Sequence, residues 1–371
     1  MKTALVHDWL TGMRGGEKVL EVLCELLPGS DLYTLFHLPG RLSPSIEERP
    51  IITSWLNRLP GIGHYYRYLL PLMPSAAWRL KLRGYDLVVA VSHCVAHGVD
   101  VEGDTRFACY CLTPMRYIWD VEGSFLAGRL RKDMRYRLLR RLGAGFRRWD
   151  RRAAERVTDY MTISRAVQDR VKRYYGRDSV IIHPPVDTDF YRPSSGPSGD
   201  FYLWAGALAP YKRIDLVLEA FARLDSRLVV IGEGQDLSWA RRKATPNVEF
   251  LGHLSDDALR GYYSTCRALI FPGEDDFGIV PVEAQACGRP VIAYGKGGVL
   301  DTVVPLEEDG TDAHPTGVLF TEQTADALIG AVRRFERCQN RFDPALIRAH
   351  TFQFSRQRCE AALKDYLLDA Y

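Results

Sequence analysis

The sequence has no long apolar run. No stretch reaches the roughly 18–20 apolar residues that a membrane-spanning helix needs. The first apolar run, at residues 3–6, ends at His7 and Asp8 and is too short for a signal peptide. The sequence therefore predicts a protein that is made and kept in the cytoplasm.

Closely spaced cysteine pairs are also absent. The eight cysteines include no Cys-x-x-Cys motif, and Cys109 and Cys111 lie two positions apart in a strand-like segment. This pattern predicts neither a zinc site nor a disulfide framework, and most cysteines are expected to be small buried apolar residues. No His, Cys and Asp cluster has metal-ligand spacing, so we expect no metal and no other cofactor.

An excess of charge of one sign is missing as well. The net charge is only +3 at pH 7, so the composition gives no argument for a nucleic-acid partner. Hydrophobic residues make up 46% and charged residues 26%, an ordinary globular balance that excludes disorder. A length of 371 residues favours two domains over one, because single cores stop growing near this size.

Short apolar runs alternate with helical patterns, which predicts a parallel α/β fold. In the first half we expect a helix at residues 18–27 and strands at residues 3–6, 85–92, 106–112, 160–163 and 180–182. In the second half we expect strands at residues 201–205, 227–231, 248–251, 268–271 and 290–294.

Turn-forming residues at positions 194–199 separate the two halves. We predict one Rossmann-like domain over residues 1–193 and another over residues 200–349. A last helix, around residues 355–368, either closes the second domain or returns to the first. Ligands of such folds bind at the carboxyl ends of the strands, so we expect a cleft there, although a fold alone identifies no reaction.

The most informative segment is residues 271–288, Phe-Pro-Gly-Glu-Asp-Asp-Phe-Gly-Ile-Val-Pro-Val-Glu-Ala-Gln-Ala-Cys-Gly. A buried strand leads into an acidic loop, and then a helix begins, with a proline in its first turn and Gly288 at its end. The backbone N–H groups of Phe277, Gly278 and Ile279 are placed to hold a phosphate at the helix N terminus.

Carboxylates in the same segment suit the hydroxyls of a ribose and a sugar. Asp275 and Glu283 lie in the loop and in the helix, and each can accept hydrogen bonds from hydroxyl groups. The alternative is a solvated acidic loop. Glu283 argues against that alternative, because it lies among apolar residues and a buried carboxylate needs partners.

This arrangement resembles the retaining GT-B glycosyltransferases of family 4, which carry two glutamates separated by seven residues around a Phe-Gly. Here Asp275 stands in the place of the first glutamate. Glu274 comes directly before Asp275, and Asp276 lies between Asp275 and Phe277. Either Asp275 or Glu274 is then the sugar contact. The resemblance implies a GT-B fold, with two Rossmann-like domains facing each other across a donor-binding cleft.

Three glycine-containing loops extend the resemblance. Gly206 follows a strand and leads to Lys212 and Arg213, which suit neutralisation of a pyrophosphate; the alternative is a solvated helix start. The family often has an arginine after this glycine, where this chain has Ala207. The other two loops contribute a pair of glycines each, which let the backbone approach the donor: Gly15 and Gly16, and Gly297 and Gly298.

Motifs in the first half resemble the bacterial polysaccharide branch of the family, with O-antigen mannosyltransferases as the nearest likeness. They are His-Asp-Trp at residues 7–9, Ser-His at 92–93, Thr-Pro-Met-Arg-Tyr at 113–117 and Tyr-Gly-Arg at 175–177. The likeness implies transfer of mannose from GDP-mannose to a polyprenyl-diphosphate-linked glycan. His93, Arg116 and Tyr117 are the acceptor-side candidates, with a purely structural role as the alternative for each.

Many relatives have a histidine before this Thr-Pro, near the reacting sugar, whereas this chain has Leu112. Leucine cannot move a proton, so a general base at this position is excluded. The resemblance implies that the leaving diphosphate accepts the proton, with Lys212 and Arg213 stabilising it without a metal. Lys212, Asp275 and Glu283 are the predicted catalytic residues.

Two segments of the first half predict a peripheral membrane surface. Residues 129–156 are strongly basic with interleaved aromatic residues, and residues 55–78 are rich in Leu, Tyr, Trp and Pro. Such a surface suits anionic lipid on the cytoplasmic face of the inner membrane. The alternative is a solvated helix face with ordinary core contacts.

Three other functions stay open. A similar enzyme could use a UDP- or dTDP-sugar. A catalytically weak nucleotide-sugar-binding protein would account for Ala207, Leu112 and Asp275, which depart from the family pattern. A nicotinamide dehydrogenase is disfavoured, because Gly232 and Gly234 are followed by Leu237 where the dinucleotide fingerprint needs a third glycine.

Overall fold

The computed structural model describes residues 1–119, 134–194, 199–307 and 314–369, without the side chains of residues 117 and 134–142. The chain forms two compact units. The first consists of Met1–Pro185 with Cys359–Tyr371, and the second of Val186–Arg358.

A parallel sheet forms the first unit. Within the described residues its strand order is β3-β2-β1-β5-β7-β8-β9, and β4 pairs with β6 separately. The strands are β1 Thr3–His7, β2 Asp31–Thr34, β3 Ile51–Thr53, β4 Lys81–Leu82, β5 Leu87–Ser92, β6 Asp100–Val101, β7 Arg106–Cys111, β8 Asp159–Thr162 and β9 Val180–Ile181. The helices are α1 Gly15–Leu26, α2 Pro44–Glu47, α3 Ile62–Tyr65, α4 Met73–Trp78, α5 Arg116–Trp119, α6 Met134–Glu155 and α7 Arg165–Tyr175.

The second unit contains another parallel sheet. In the described part its order is β12-β11-β10-β13-β14-β15. The strands are β10 Tyr202–Ala205, β11 Leu228–Ile231, β12 Val248–Gly252, β13 Leu269–Phe271, β14 Val291–Tyr294 and β15 Gly317–Phe320. The helices are α8 Ile214–Phe221, α9 Leu237–Lys243, α10 Asp256–Thr265, α11 Ile279–Ala286, α12 Val299–Thr302, α13 Ala325–Arg337 and α14 Pro344–Thr351.

The central strands of each sheet are buried on both faces, which explains their continuous apolar runs. In β10, Tyr202 and Trp204 pack into one core, and Leu203 and Ala205 pack into a second core on the other face. The predicted parallel α/β architecture is therefore confirmed, as is each strand predicted in the two halves.

The division between the units falls before residue 186, whereas the predicted first domain extends to residue 193. Val186 donates its N–H to the Phe354 carbonyl at 3.0 Å, and Arg348 donates to the carbonyls of Thr188 and Tyr191 at 3.1 and 2.9 Å. These hydrogen bonds hold residues 186–191 in the second unit. Of the predicted linker, residues 195–198 lie outside the described part of the chain.

The C-terminal helix, α15 Arg356–Lys364, returns to the first unit and continues as a π-helical turn over Asp365–Asp369. Arg106 of β7 donates to the Leu367 and Tyr366 carbonyls at 3.0 and 3.1 Å. The sequence left two arrangements open for this helix, and the structure has the one in which it returns to the first domain.

Both sheets have a topological switch point, which is a pair of neighbouring strands whose chain connections lead to opposite sides of the sheet. It lies between β1 and β5 in the first sheet and between β10 and β13 in the second. Ligands of open α/β sheets bind beyond the carboxyl ends of the strands at such points. The side chains that follow these four strands are therefore the first place to look for a site.

Candidate functional site

In the second unit, the loop after β13 and helix α11 have the local structure expected from the sequence. Pro281 lies in the first turn of α11, and Gly288 follows its end with a φ of +75°. Gly278 caps the start with a φ of +88°, a left-handed conformation that favours glycine. The loop therefore turns sharply at Gly278, directly before the first helical residue, Ile279.

An ion pair spans the switch point of the second sheet. The Lys212 ammonium, after β10, donates to the Asp275 carboxylate, after β13. The Lys212 nitrogen also lies 5.4 Å from the centre of the Phe271 ring, within the range of a cation–π contact. The structure thus brings together two of the three predicted catalytic residues.

A second ion pair joins the same loop to the next strand. The Lys296 ammonium, after β14, lies 3.1 Å from a carboxylate oxygen of Glu274. The Gly298 N–H donates to the Asp275 carbonyl at 2.8 Å, which fixes the two loops against each other. Sequence reasoning missed Lys296, although its place between two glycines after a strand was visible.

Gly297 and Gly298 are needed for packing between these loops. A Cβ atom on Gly297 would overlap the Asp275 carbonyl oxygen, and one on Gly298 would overlap the backbone of Phe277. We predicted that glycines here let the backbone approach a donor. The close approach that the structure shows is between two parts of the protein.

Gly206 follows β10 directly and lies against Gly232, which follows β11. A Cβ on Gly232 would overlap the Gly206 carbonyl oxygen, and the Gly206 N–H donates to the Ile231 carbonyl at 3.0 Å. The two glycines therefore hold the ends of neighbouring strands together. This packing positions the loop that carries Lys212.

Glu283 is buried, with 6% of the residue exposed. The Tyr263 hydroxyl donates to its carboxylate at 3.2 Å. Burial and the nearby Glu283 charge both raise the pKa of Tyr263 and of Tyr191, whose hydroxyl also bonds Glu283. The partners that a buried carboxylate needs are thus tyrosines, so burial of Glu283 no longer argues for a ligand.

Arg213 has its charge paired inside the protein. Its guanidinium donates to Asp215 at 3.1 Å and to the Gln323 side chain at 2.8 Å. Gln323 in turn donates to the Pro272 carbonyl at 2.8 Å. Arg213 therefore links the loops after β10, β13 and β15, while its own φ of +54° is uncommon for a residue with a side chain.

In the first unit, a buried carboxylate spans the switch point. Asp8, after β1, accepts the backbone N–H groups of residues 93–96, after β5, at 2.5–3.1 Å. Burial would raise the pKa of Asp8, but His93 and His7 lower it below its ordinary value. His93 Nδ1 lies 3.0 Å from Asp8, and 27% of the His93 side chain is exposed. Asp8 therefore orients the predicted acceptor-side histidine.

The glycine pair Gly15 and Gly16 begins helix α1 beside the Leu112 position. A Cβ on Gly16 would lie 2.7 Å from the Leu112 side chain and 3.4 Å from the His7 ring. Leucine at position 112 thus packs over the glycine loop. Of the other acceptor-side candidates, Arg116 begins α5 and is half-buried, and the side chain of Tyr117 lies outside the described part.

Sequence reasoning also missed a buried polar chain. Ser92 Oγ lies 3.0 Å from His97 Nδ1, and His97 Nε2 lies 3.1 Å from Asp150. Asp150 also accepts from Tyr175 at 2.8 Å and Trp119 at 2.6 Å. Ser92, His97 and Asp150 follow the order of a nucleophile triad, but all three side chains are buried. This row of polar side chains therefore connects α5, α6 and α7 to β5.

Other expectations concern cysteines, metals and membranes. Seven of the eight cysteines are buried and all are free thiols, as expected. Within residues 1–119, 134–194, 199–307 and 314–369, no group of three or more His, Cys, Asp or Glu side chains is placed to hold a metal. Among the helices in those ranges, none is both long and apolar enough to cross a membrane.

Comparison with known proteins shows that the second unit is similar in sequence to glycosyltransferases. Residues 187–348 match the family model of the glycosyl transferases group 1. The D-inositol 3-phosphate glycosyltransferase of Streptomyces bingchenggensis is 32% identical over 165 residues, 35% of this chain and 36% of that protein. The GDP-mannose-dependent monoacylated alpha-(1-6)-phosphatidylinositol monomannoside mannosyltransferase of Corynebacterium glutamicum is 34% identical over 150 residues, 34% of this chain and 39% of that protein.

The matching stretch therefore spans little more than a third of the length of these relatives. Structural similarity extends further. The Anabaena protein HepE in complex with UDP-glucose has a TM-score of 0.68, with 16% identity and 100% of both chains covered. The chain thus has the GT-B fold of glycosyltransferases, and its residues 187–348 are similar to the group 1 glycosyl transferases.

Proposed function

We propose that the protein is a retaining glycosyltransferase that moves mannose from GDP-mannose to a lipid-linked glycan in surface polysaccharide synthesis. The observation that carries the proposal is the Lys212–Asp275 ion pair at the switch point of the unit that matches group 1 glycosyl transferases. The GDP-mannose-dependent relative supports the choice of donor.

The donor diphosphate takes the place of Asp275 as the partner of Lys212. The backbone N–H groups of Phe277, Gly278 and Ile279 add partial positive charge at the N terminus of α11. Asp275, or Glu274 beside it, then accepts hydrogen bonds from the sugar, and Glu283 accepts from the ribose. Arg213 contributes by holding the loops in place and by its charge.

During transfer, the bond between the sugar C1 and the diphosphate oxygen breaks while a bond from the acceptor oxygen to C1 forms on the same face. The acceptor proton goes to the leaving diphosphate on the same face of the sugar, and Leu112 cannot take it. Lys212 stabilises the charge that develops on the leaving group. No metal is required, since lysine and the helix N terminus supply the positive potential.

On the acceptor side, we propose that His93 binds the incoming hydroxyl. Its Nδ1 is committed to Asp8, which directs the role to Nε2, and Arg116 and Tyr117 complete the acceptor-side candidates. A His93→Ala variant is expected to lose glycosyl transfer while it still hydrolyses the donor slowly. Equal loss of both activities would contradict an acceptor-side role.

Peripheral docking on the cytoplasmic face of the inner membrane belongs to the same proposal. Tyr68, Leu72 and Trp78 expose 60%, 43% and 47% of their surface, and Arg156 lies 4.5 Å from the Trp78 ring centre. Exposed aromatic residues beside basic ones suit an anionic lipid surface. A polyprenyl-diphosphate-linked acceptor would be met there.

A UDP- or dTDP-sugar donor is the second candidate, favoured by the UDP-glucose complex of HepE. A panel of GDP-mannose, UDP-glucose and dTDP-glucose, assayed for release of nucleoside diphosphate, separates the candidates. Release from GDP-mannose supports the proposal, and release only from UDP- or dTDP-sugars supports the second donor. Tight binding without turnover would leave a nucleotide-sugar-binding protein.

A further inference from the structure

We propose that Lys296 is the second cation of the donor site and replaces the arginine that Ala207 does not supply. This inference rests on the proposed function, because it assigns a residue to the donor diphosphate. It concerns a side chain that neither the glycine motifs nor the family resemblance singled out.

The topology places Lys296 and Lys212 at the same edge of the second sheet. The two lysines follow β14 and β10, and β13 lies between those strands in the sheet. Each lysine bonds one of two consecutive acids in the loop after β13: Lys212 bonds Asp275, and Lys296 bonds Glu274 at 3.1 Å. Because the carboxyl ends of parallel strands meet at one edge, both ammonium groups belong to the same site.

Backbone contacts hold the loop after β14 against the loop after β13. The Gly298 N–H donates to the Asp275 carbonyl at 2.8 Å, and Asp275 and Gly297 form an isolated parallel β-bridge. A Cβ at either glycine would collide with residues 275–277. The backbone that carries Lys296 is therefore fixed against the backbone that carries the acids.

Charge at this edge shows why a second cation is needed. The loop after β13 carries Glu274, Asp275 and Asp276, and Arg213 is already shared between Asp215 and Gln323. Lys212 alone would leave an excess of negative charge around a diphosphate that is itself anionic. Ala207 adds no positive charge, so Lys296 is the side chain that offsets this negative charge.

Lys296 is also able to change partners. Its side chain is 59% exposed, against 14% for Lys212, and a lysine ammonium on its flexible stem moves without disturbing the backbone. Glu274 holds it in the absence of donor. A diphosphate offers more negative charge than one carboxylate, so donor binding draws both lysines from the acids to the phosphates.

The test compares nucleoside diphosphates with monophosphates, because only the former bring the second phosphate. Titration calorimetry would measure the Kd of GDP, GMP, UDP and UMP for the wild type, Lys296→Ala and Lys296→Arg. We expect Lys296→Ala to weaken diphosphate binding about tenfold, as for loss of one charge-assisted contact, and monophosphate binding less than about twofold. Lys296→Arg keeps the charge and should stay close to wild type.

Two further variants serve as control and rescue. Lys243→Ala removes an exposed lysine from the last turn of α9 and should leave all four Kd values unchanged. Ala207 is exposed, so Ala207→Arg can be accommodated, and in the Lys296→Ala background it should restore diphosphate affinity. Unchanged melting temperatures without nucleotide would show that the variants are folded.

The outcomes are separable. Two results would contradict the role of Lys296 and leave the proposed function standing, provided that the wild type binds diphosphates. In the first, Lys296→Ala binds diphosphates as tightly as the wild type. In the second, Lys296→Ala weakens the binding of monophosphates as much as that of diphosphates. If the wild type binds no nucleoside diphosphate, the proposed function fails, and this inference fails with it.

Discussion

Lys212 and Asp275 neutralise each other across the switch point of the second sheet. Both side chains are largely shielded from solvent, where an ion pair is stronger than at the surface. In the proposed donor site, a diphosphate would compete with this carboxylate for the lysine. The ion pair itself holds the acidic loop after β13 against the loop after β10.

Glu283 offers the clearest distinction between a ligand contact and a packing role. A Glu283→Gln variant keeps the size of the side chain, and its amide oxygen can still accept from Tyr263. If Glu283 binds the ribose, the Kd of GDP should rise about tenfold, while the Kd of 2′,3′-dideoxy-GDP should stay near its wild-type value.

A matched control for this variant exists in the same unit. Tyr202 donates to Glu336 at 2.9 Å, so Glu336→Gln alters a second tyrosine–glutamate pair. It should change neither Kd. Equal GDP affinity in the two glutamine variants would leave Glu283 with packing alone.

His7 gives the first unit a pH-dependent stability. Burial lowers the pKa of His7, but the nearby carboxylates of Glu17 and Asp8 raise it above its ordinary value overall. A raised folded-state pKa adds stability below the unfolded pKa of about 6.5, and this stability is lost as pH rises through the folded-state pKa.

We therefore expect the free energy of unfolding to fall with rising pH from about pH 6.5 upward, and to fall less steeply in Glu17→Gln. Urea unfolding at a series of pH values measures both slopes. Identical slopes in the two proteins would show that the His7–Glu17 pair, 3.6 Å apart, does not govern this dependence.

At the scale of elements, glycines set the distance between the loops of the second unit. Gly298 has an ordinary φ of −68°, so only the lack of a Cβ explains its presence. A Gly298→Ala variant must push Phe277 away, and we expect a loss of about 1–3 kcal/mol in the free energy of unfolding.

Gly330→Ala is the control for that change. Gly330 lies inside α13, and a Cβ there would meet nothing within 4 Å. Chemical denaturation should show a gain of about 0.5–1 kcal/mol, as expected for removing glycine from a helix. A loss of stability at position 330, or none at position 298, would contradict the packing account.

Apolar runs identified ten of the strands, because a strand covered on both faces consists mainly of apolar residues. They did not identify β2, β3, β4, β6 or β15. β4 and β6 have two residues each, β2 begins with Asp31 and β3 is only partly buried, so none of these four has the continuous apolar run of a strand covered on both faces. Motifs placed Lys212 and Asp275 in the loops after two predicted strands, and the structure has them after β10 and β13.

Pairings between distant residues were beyond the sequence. Nothing in the order of residues links Glu274 to Lys296, because that pair depends on which strands are neighbours in the sheet. The pair of Glu283 and Tyr263 depends on how helices α10 and α11 pack. The same limit applies to Asp8, whose five hydrogen-bond donors all follow β5. A strand order deduced in advance would have found the first of these pairs.

At the scale of the whole molecule, the two units carry different chemistry. The first presents an oriented histidine and exposed aromatic residues, and the second presents the paired lysines and acids. Residues 359–371 return to the first unit, which is therefore built from two separate segments of the chain. The family model of the group 1 glycosyl transferases matches residues 187–348, which lie in the second unit.

Membrane docking predicts how the whole protein behaves with vesicles. The wild type should co-sediment with phosphatidylglycerol vesicles and much less with phosphatidylcholine vesicles, and salt should release it, because basic residues each add about 1 kcal/mol near anionic lipid. A Tyr68→Ser, Leu72→Ser variant should bind more weakly.

Phe352→Ser is the control for that variant, since Phe352 is a similarly exposed aromatic residue in the second unit. It should co-sediment like the wild type. Binding that ignores salt and lipid charge would contradict docking through the first unit.

The measurement that tests the central claim most directly is the rate of GDP release from GDP-mannose by the wild type and by Lys212→Ala. The account predicts slow release by the wild type, loss of most of this turnover in Lys212→Ala, and the same melting temperature for both proteins in the absence of nucleotide. Unchanged turnover in a folded Lys212→Ala variant would contradict the assignment of the donor diphosphate to this edge of the second sheet.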